Sequence, residues 1–178
     1  MKYAAPILIE PAVFGDSRGY FFEPYNRNTF GQKWGIDETF VQDNESFSTH
    51  GILRGLHYQI GDKAQAKLVR VVTGEVLDIV VDIRKSSPHF GKIYTYVLDE
   101  KKKHQLFVPR GFAHGFVVLS ETAIFQYKVD NFYSKVDERG ILYNDPALGI
   151  DWKLPATAIQ VSEKDKVLPL YKDAEFFD

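Results

Sequence analysis

The chain alternates short apolar runs with turn signals every 8–12 residues or so, which is the pattern of a β-sandwich or barrel. The middle is the clearest part. KLVRVVTGEVLDIVVDIR, Lys67 to Arg84, is two β-branched runs about Thr73-Gly74-Glu75, and the spacing predicts a hairpin there. IYTYVL (Ile93 to Leu98) follows a turn-rich SSPHFGK. QLFVPRGFAHGFVVLS (Gln105 to Ser120) reads as strand, Pro-Arg-Gly turn, strand, and AIFQYKVDNFY (Ala123 to Tyr133) as a further strand. Upstream, PILIEPAVF, GYFFEPYN, TFVQDNESFS and GILRGLHYQI are short strand candidates. Helical signal is confined to RNTFGQKW, Arg27 to Trp34, stopped by Gly35. The segment NDPALGIDWKLPATAIQVSEKD, with Pro146, Gly149 and Pro155, predicts loops and at most a turn or two of helix. The expected architecture is all-β, an antiparallel jelly roll or related barrel whose mouth suits a small ligand.

At 178 residues the chain is one domain's length, residues 1–178, with neither repeat nor linker. Its 44% hydrophobic and 26% charged residues are those of a globular core former, and 14 Phe with 10 Tyr suit strands. A net charge of −2 argues against a general nucleic-acid or anionic-membrane binder but permits a local basic pocket for one small anion. With no cysteine, disulfides, thiolate catalysis and cysteine-held metals drop out. No apolar run approaches the ~20 residues of a membrane span, and MKYAAPILIEPAVFGDSRG is a poor signal peptide, so a cytoplasmic address is expected.

Four clusters carry candidate chemistry. In RGLHYQ, strand alternation puts His57 with Leu53, Gly55 and Gln59 on one face, and Arg54 with Leu56 and Tyr58 on the other. An inward His57 is either a hydrogen-bonded core histidine or a group tuned for proton transfer. His114, in FVPRGFAHGF, carries the same two readings. No third well-placed histidine accompanies them, so no metal site is expected. Arg18, Arg54, Lys67 and Arg70 are cations in or beside strands, and either line a solvated face or hold a phosphate or enolate. Tyr127 and Tyr133, six residues apart, share a side if their strand is unbroken, as packing aromatics or as pocket phenols.

Taken in order, FGDSRGYFFEPYN, FVQDNESFS, ILRGLHYQ, AQAKLVRVVTGEVLDIVVDIRKSSPHFGK, FVPRGFAHGFVVLSE, QYKVDNFYS and NDPALGIDW resemble the dTDP-4-dehydrorhamnose 3,5-epimerases, from about Pro6 to Asp165. The resemblance implies a cupin-like jelly roll that works without metal or cofactor. It also implies a homodimer that exchanges N-terminal strands. The implied reaction converts dTDP-4-dehydro-6-deoxy-D-glucose to dTDP-4-dehydro-L-rhamnose. By resemblance His57 is the base, Asp165 the carboxylate that orients it, Tyr127 the proton donor and Lys67 the cation beside the keto oxygen. Tyr133 stacks on thymine. Arg18, Glu23, Gln42, Asn44, Arg54, His114, Glu138 and Lys164 match positions that bind nucleotide, diphosphate or sugar, and Arg18 and Glu23 would serve the partner's site. Asp82 is an alternative partner for His57. Relatives that invert C3 or C5 alone, 3,4-ketoisomerases, metal-dependent cupins and a non-catalytic sugar-nucleotide binding module are the competing readings.

Overall fold

The computed structural model describes residues 2–178. Strands β1 (Ile7–Ile9), β2 (Val13–Asp16) and β3 (Gly19–Phe22) come first, then helix α1 (Arg27–Trp34). They are followed by β4 (Gln42–Thr49), β5 (Leu53–Gln59), β6 (Lys67–Thr73), β7 (Glu75–Asp82) and β8 (Ile93–Asp99). The rest are β9 (Gln105–Val108), β10 (Phe112–Val118), β11 (Thr122–Val129), β12 (Glu138–Gly140) and the single-turn helix α2 (Glu163–Lys166). All strand pairs are antiparallel. One five-stranded sheet runs β1-β9-β6-β11-β4, a second runs β12-β5-β10-β7-β8, and β2-β3 form a separate hairpin. The all-β jelly-roll expectation therefore holds.

The two sheets face each other across Val69, Val71, Val76, Val80, Leu106, Phe112, Phe116 and Phe125. The second sheet is covered outside as well. Leu77, Ile79, Val81, Ala113 and Val117 meet Leu148, Trp152, Tyr171 and Phe177 of the C-terminal segment. Burial on both faces explains why β7 and β10 read as almost unbroken apolar runs. The first sheet is covered by α1, whose Phe30 packs with Ile9, Leu68 and Phe107. Asn26 caps this helix by accepting from the Asn28 and Thr29 amides, and Gly35 ends it in the left-handed conformation. The predicted helix boundaries are the observed ones.

The hairpin expected at Thr73-Gly74-Glu75 is a different object. β6 pairs with β9 and β11, while β7 pairs with β10 and β8 in the other sheet. The turn thus carries the chain from one sheet to the other, with the same local chemistry as a hairpin but no pairing across it. Gly74 has φ +85°, and a Cβ there would lie 2.1 Å from the Thr122 carbonyl oxygen. The proposed strand Ala123 to Tyr133 is also shorter. It starts at Thr122 and stops at Val129, so Tyr133 stands in the loop beyond.

Because both conformation and space exclude a side chain at this crossing, Gly74→Ala is expected to lower stability by about 1–3 kcal/mol. Urea unfolding measures it, and an unchanged midpoint would show that the turn is not so constrained.

Candidate active site

Between the sheets, at the end where the apolar packing stops, lies a cleft of about 830 Å3. Each wall is a different sheet. β4, β6 and β11 present Asn44, Lys67 and Tyr127, while β5 and β10 present Arg54, His57 and His114. The C-terminal segment adds Ser162, Lys164 and Asp165. Phe116 and Phe125, stacked with centroids 4.0 Å apart, form an apolar wall.

Strict alternation would have put Arg54 and His57 on opposite faces, yet both line the cleft. The strand is irregular between them. Its register with β10 shifts, with His114 opposite His57 but Phe116 opposite Arg54. Gly55, at φ +139°, approaches β10 so closely that a Cβ would lie 2.5 Å from the Gly115 Cα. The irregularity brings the guanidinium and the imidazole to the same side, while Leu56 and Tyr58 remain in the core beneath. Arg54 is steadied by donating to Ser48 Oγ at 3.1 Å.

His57 Nε2 is 2.7 Å from Asp165 Oδ1. Asp165 is only 2% exposed, and sits on α2, where the Asp165 amide donates to the N-cap Ser162 Oγ. Burial alone would push this carboxyl up. Hydrogen bonds from His57, the Gly55 backbone and Ser162, with the charge of His57, outweigh burial and hold it below its usual value. An ionised carboxylate on Nε2 fixes the imidazole tautomer and leaves Nδ1 as the basic nitrogen. Asp82 is not the partner of His57. It is fully buried and committed to Arg84 and Ser87, far along β7.

Lys67 reaches toward the His57 carbonyl oxygen at 3.4 Å. Desolvation brings its ammonium pKa down to about 8, against the pull of Asp78 and Glu138. Burial raises the Tyr127 phenol, with Arg54 opposing and Glu138 reinforcing, so the phenol keeps its proton at neutral pH. His114 Nε2 lies 3.0 and 2.9 Å from the two oxygens of Asp78. Asp78 was not singled out from the sequence. Its only signal was a carboxylate interrupting the apolar EVLDIVVD run.

The remaining expected residues divide. Gln42 donates to Asn44 Oδ1 at 2.8 Å, just behind the cleft wall. Tyr133 and Lys164 both bind Glu138, joining three segments at the rim. Arg18 and Glu23 lie away from this chain's cleft. Arg18 is at the exposed tip of β2-β3, paired with Asp16, and Glu23 accepts from Asn26 near α1. Arg70 leaves the basic group too. It lies on the other face of β6, donating to Gln126 and covered by the Phe22 ring. Among the described residues no three His, Asp or Glu side chains are grouped to hold a metal ion, and no helix is long and apolar enough to cross a membrane.

The family model for dTDP-4-dehydrorhamnose 3,5-epimerase matches residues 2–173. The chain belongs to the dTDP-4-dehydrorhamnose 3,5-epimerase family. It is 52% identical to the enzyme of that name from Shigella flexneri over 171 residues, covering 96% of this chain and 93% of that protein. The crystal structure of the epimerase from Elizabethkingia anophelis superposes with a TM-score of 0.91 at 52% identity, over 97% of this chain and 96% of that one. The dTDP-6-deoxy-D-glucose-3,5-epimerase of Legionella pneumophila, solved with dTDP-4-keto-L-rhamnose, does so at 0.90 and 45% identity, over 94% and 88%. Membership of this epimerase family agrees with an isomerase site built on the cleft.

The depressed Lys67 is directly observable. With lysines carrying 13C-methyl labels, one NMR resonance is expected to titrate near pH 8, well below the ordinary lysines. It should vanish in Lys67→Arg. A lysine set titrating uniformly near the ordinary lysine value of 10.5 would contradict the desolvated site.

Proposed function

We propose that this chain catalyses 3,5-epimerisation of dTDP-4-dehydro-6-deoxy-D-glucose to dTDP-4-dehydro-L-rhamnose, in the cytoplasm and as a homodimer. The observation that carries the reading is the placement of His57 and Tyr127 on opposite sheets with Lys67 in the same cleft. A 4-keto group acidifies the C–H bonds at C3 and C5. His57, oriented by Asp165, takes the proton from one carbon, and the C–H electron pair moves into the carbonyl to give an enolate. Lys67 offsets the charge on the enolate oxygen. Tyr127 returns a proton to the same carbon from the other wall, inverting it. His57 is then protonated and Tyr127 deprotonated, and exchange with solvent restores both. The bonds break and re-form heterolytically, so no oxidant or reductant enters the balance.

Arg54 and Lys164 suit the diphosphate, and Tyr133, 57% exposed and joined to Lys164 through Glu138, suits stacking on thymine. The β2-β3 hairpin favours a dimer. Phe14 and Phe21 are 66% and 71% exposed on a two-stranded unit, an apolar surface that a second copy would cover. In an exchanged dimer Arg18 and Glu23 would reach the partner's cleft.

Three measurements test this reading. Incubation with dTDP-4-dehydro-6-deoxy-D-glucose in deuterated water should place deuterium at C3 and C5 of the product. Exchange at one carbon would indicate a mono-epimerase, and exchange at neither would sink the catalytic reading. His57→Asn should lose about 10²–10⁴-fold in kcat with nucleotide binding intact, and a near-normal rate would remove His57 from the base role. Since kcat/KM reports the free enzyme, it should fall as pH rises past about 8, where Lys67 loses its charge, and Lys67→Arg should abolish that limb.

The exchanged dimer has its own test. Inactive His57→Asn and Arg18→Ala chains, co-expressed, should regain activity, because one site of each mixed dimer receives native His57 from one chain and native Arg18 from the other. No recovery in verified mixed dimers would mean Arg18 does not act across the interface.

A further inference from the structure

Asp78 is an expensive residue where it stands. It is fully buried on β7, facing the inter-sheet core between Val76 and Val80. A valine would fill such a position without desolvating a carboxylate, which is unfavourable unless partners use the charge. Its partners are identifiable. Both oxygens lie within hydrogen-bond distance of His114 Nε2, on the adjacent strand β10. Lys67, across the sheets on β6, feels Asp78 as the first of the two negative charges that favour its ammonium form. Tyr96, opposite Asp78 on β8, is the remaining titratable neighbour.

We propose that Asp78 is a positioning residue of this site, setting the tautomer of His114 and preserving the positive charge of Lys67. The consequence for catalysis rests on the epimerase reading above; the two physical effects do not.

His114 is 6% exposed, and its ring lies against Phe125. Burial lowers its pKa, Asp78 pulls back, and Lys67 and His57 push it down further, so the net shift is downward and the ring is neutral at neutral pH. The single ring proton belongs on Nε2, where Asp78 accepts it. Nδ1 is then a lone-pair acceptor. Such a nitrogen attracts a sugar hydroxyl and repels an enolate oxygen. The two groups beside Asp78 therefore divide the sugar between them: Lys67 for the oxyanion, His114 for a hydroxyl donor. The charges facing Lys67 are Asp78 on β7 and Glu138 on β12, and the neutral His114 ring also lies near it. Glu138 is already bound by Lys164 and Tyr133 at the rim, which leaves Asp78 as the fully buried counter-charge.

The test uses the full-length protein. In the wild type, 15N NMR of His114 at neutral pH and above should show Nε2 protonated and Nδ1 unprotonated. A ring protonated on Nδ1, or one that becomes imidazolium at ordinary histidine pH, overturns the proposal without any variant. Asp78→Asn is nearly isosteric, and is expected to move the 13C-methyl-lysine titration of Lys67 below about 8. It should lower kcat about 10–100-fold, the range typical of a lost supporting contact, and carry the alkaline limb of kcat/KM to lower pH. An unmoved Lys67 titration in folded Asp78→Asn protein overturns the role toward lysine. Should the tautomer and titration behave as stated while no deuterium enters the substrate, the epimerase reading fails and the assignment of Asp78 stands.

Discussion

The site depends on one hydrogen bond, that between His57 and Asp165, which joins residues 108 positions apart. Neither partner is useful without the other. An unpaired carboxylate as buried as Asp165 would be driven toward its neutral form. An imidazole without it would have no fixed tautomer. Bringing them together requires the C-terminal segment to return across the second sheet, and the apolar surface of Trp152, Tyr171 and Phe177 on that sheet holds it there. The parallel bridge of Gln160 to Ile52 then places α2 beside the start of β5. A segment that looks irregular in sequence is thus an outer wall of the core and the support of the His57 imidazole.

What was legible in the sequence was local. The turn-punctuated apolar runs gave the strands, and Arg27 to Trp34 stopped by Gly35 gave α1. Pairing was not legible. Thr73-Gly74-Glu75 has the turn chemistry of a hairpin, and nothing local distinguishes that from a crossing between sheets, because the partners of β6 and β7 lie far off in sequence. Face alternation failed at Arg54 and His57 for a related reason. The close approach of Gly55 to Gly115 is a tertiary fact, and it reverses which side chains share the cleft. Strand position alone left His57 and Tyr127 open between packing and chemistry, and it was the motif resemblance that pointed to the cleft they line. Asp78 could not be read either way, because its meaning comes from His114 on the neighbouring strand.

The location of the cleft follows from the same packing. The inter-sheet layer is filled by valine, leucine and phenylalanine until the column reaches Asp78, His114 and Lys67, where polar groups replace apolar ones. Polar groups here cannot pack as densely or as cheaply as hydrocarbons. The cleft opens beside them, and desolvation there brings Lys67 down to about 8 without stripping its charge at neutral pH.

Two histidine–aspartate pairs stand within this cleft, and environment separates their roles. His57 keeps 28% of its side chain exposed, so its free nitrogen can meet a substrate and exchange protons with solvent. His114 is 6% exposed, and its Nε2 sits against a carboxylate with no exposure at all. Proton traffic through it would require charging a ring that burial, Lys67 and His57 all disfavour. Similar pairs thus stand in opposite environments, one open to solvent and suited to the base role proposed for it, the other enclosed and neutral. The pattern also explains why a lone histidine motif says so little. Its chemistry is decided by the water and the charges around it, and the two sheets impose those differently at β5 and β10.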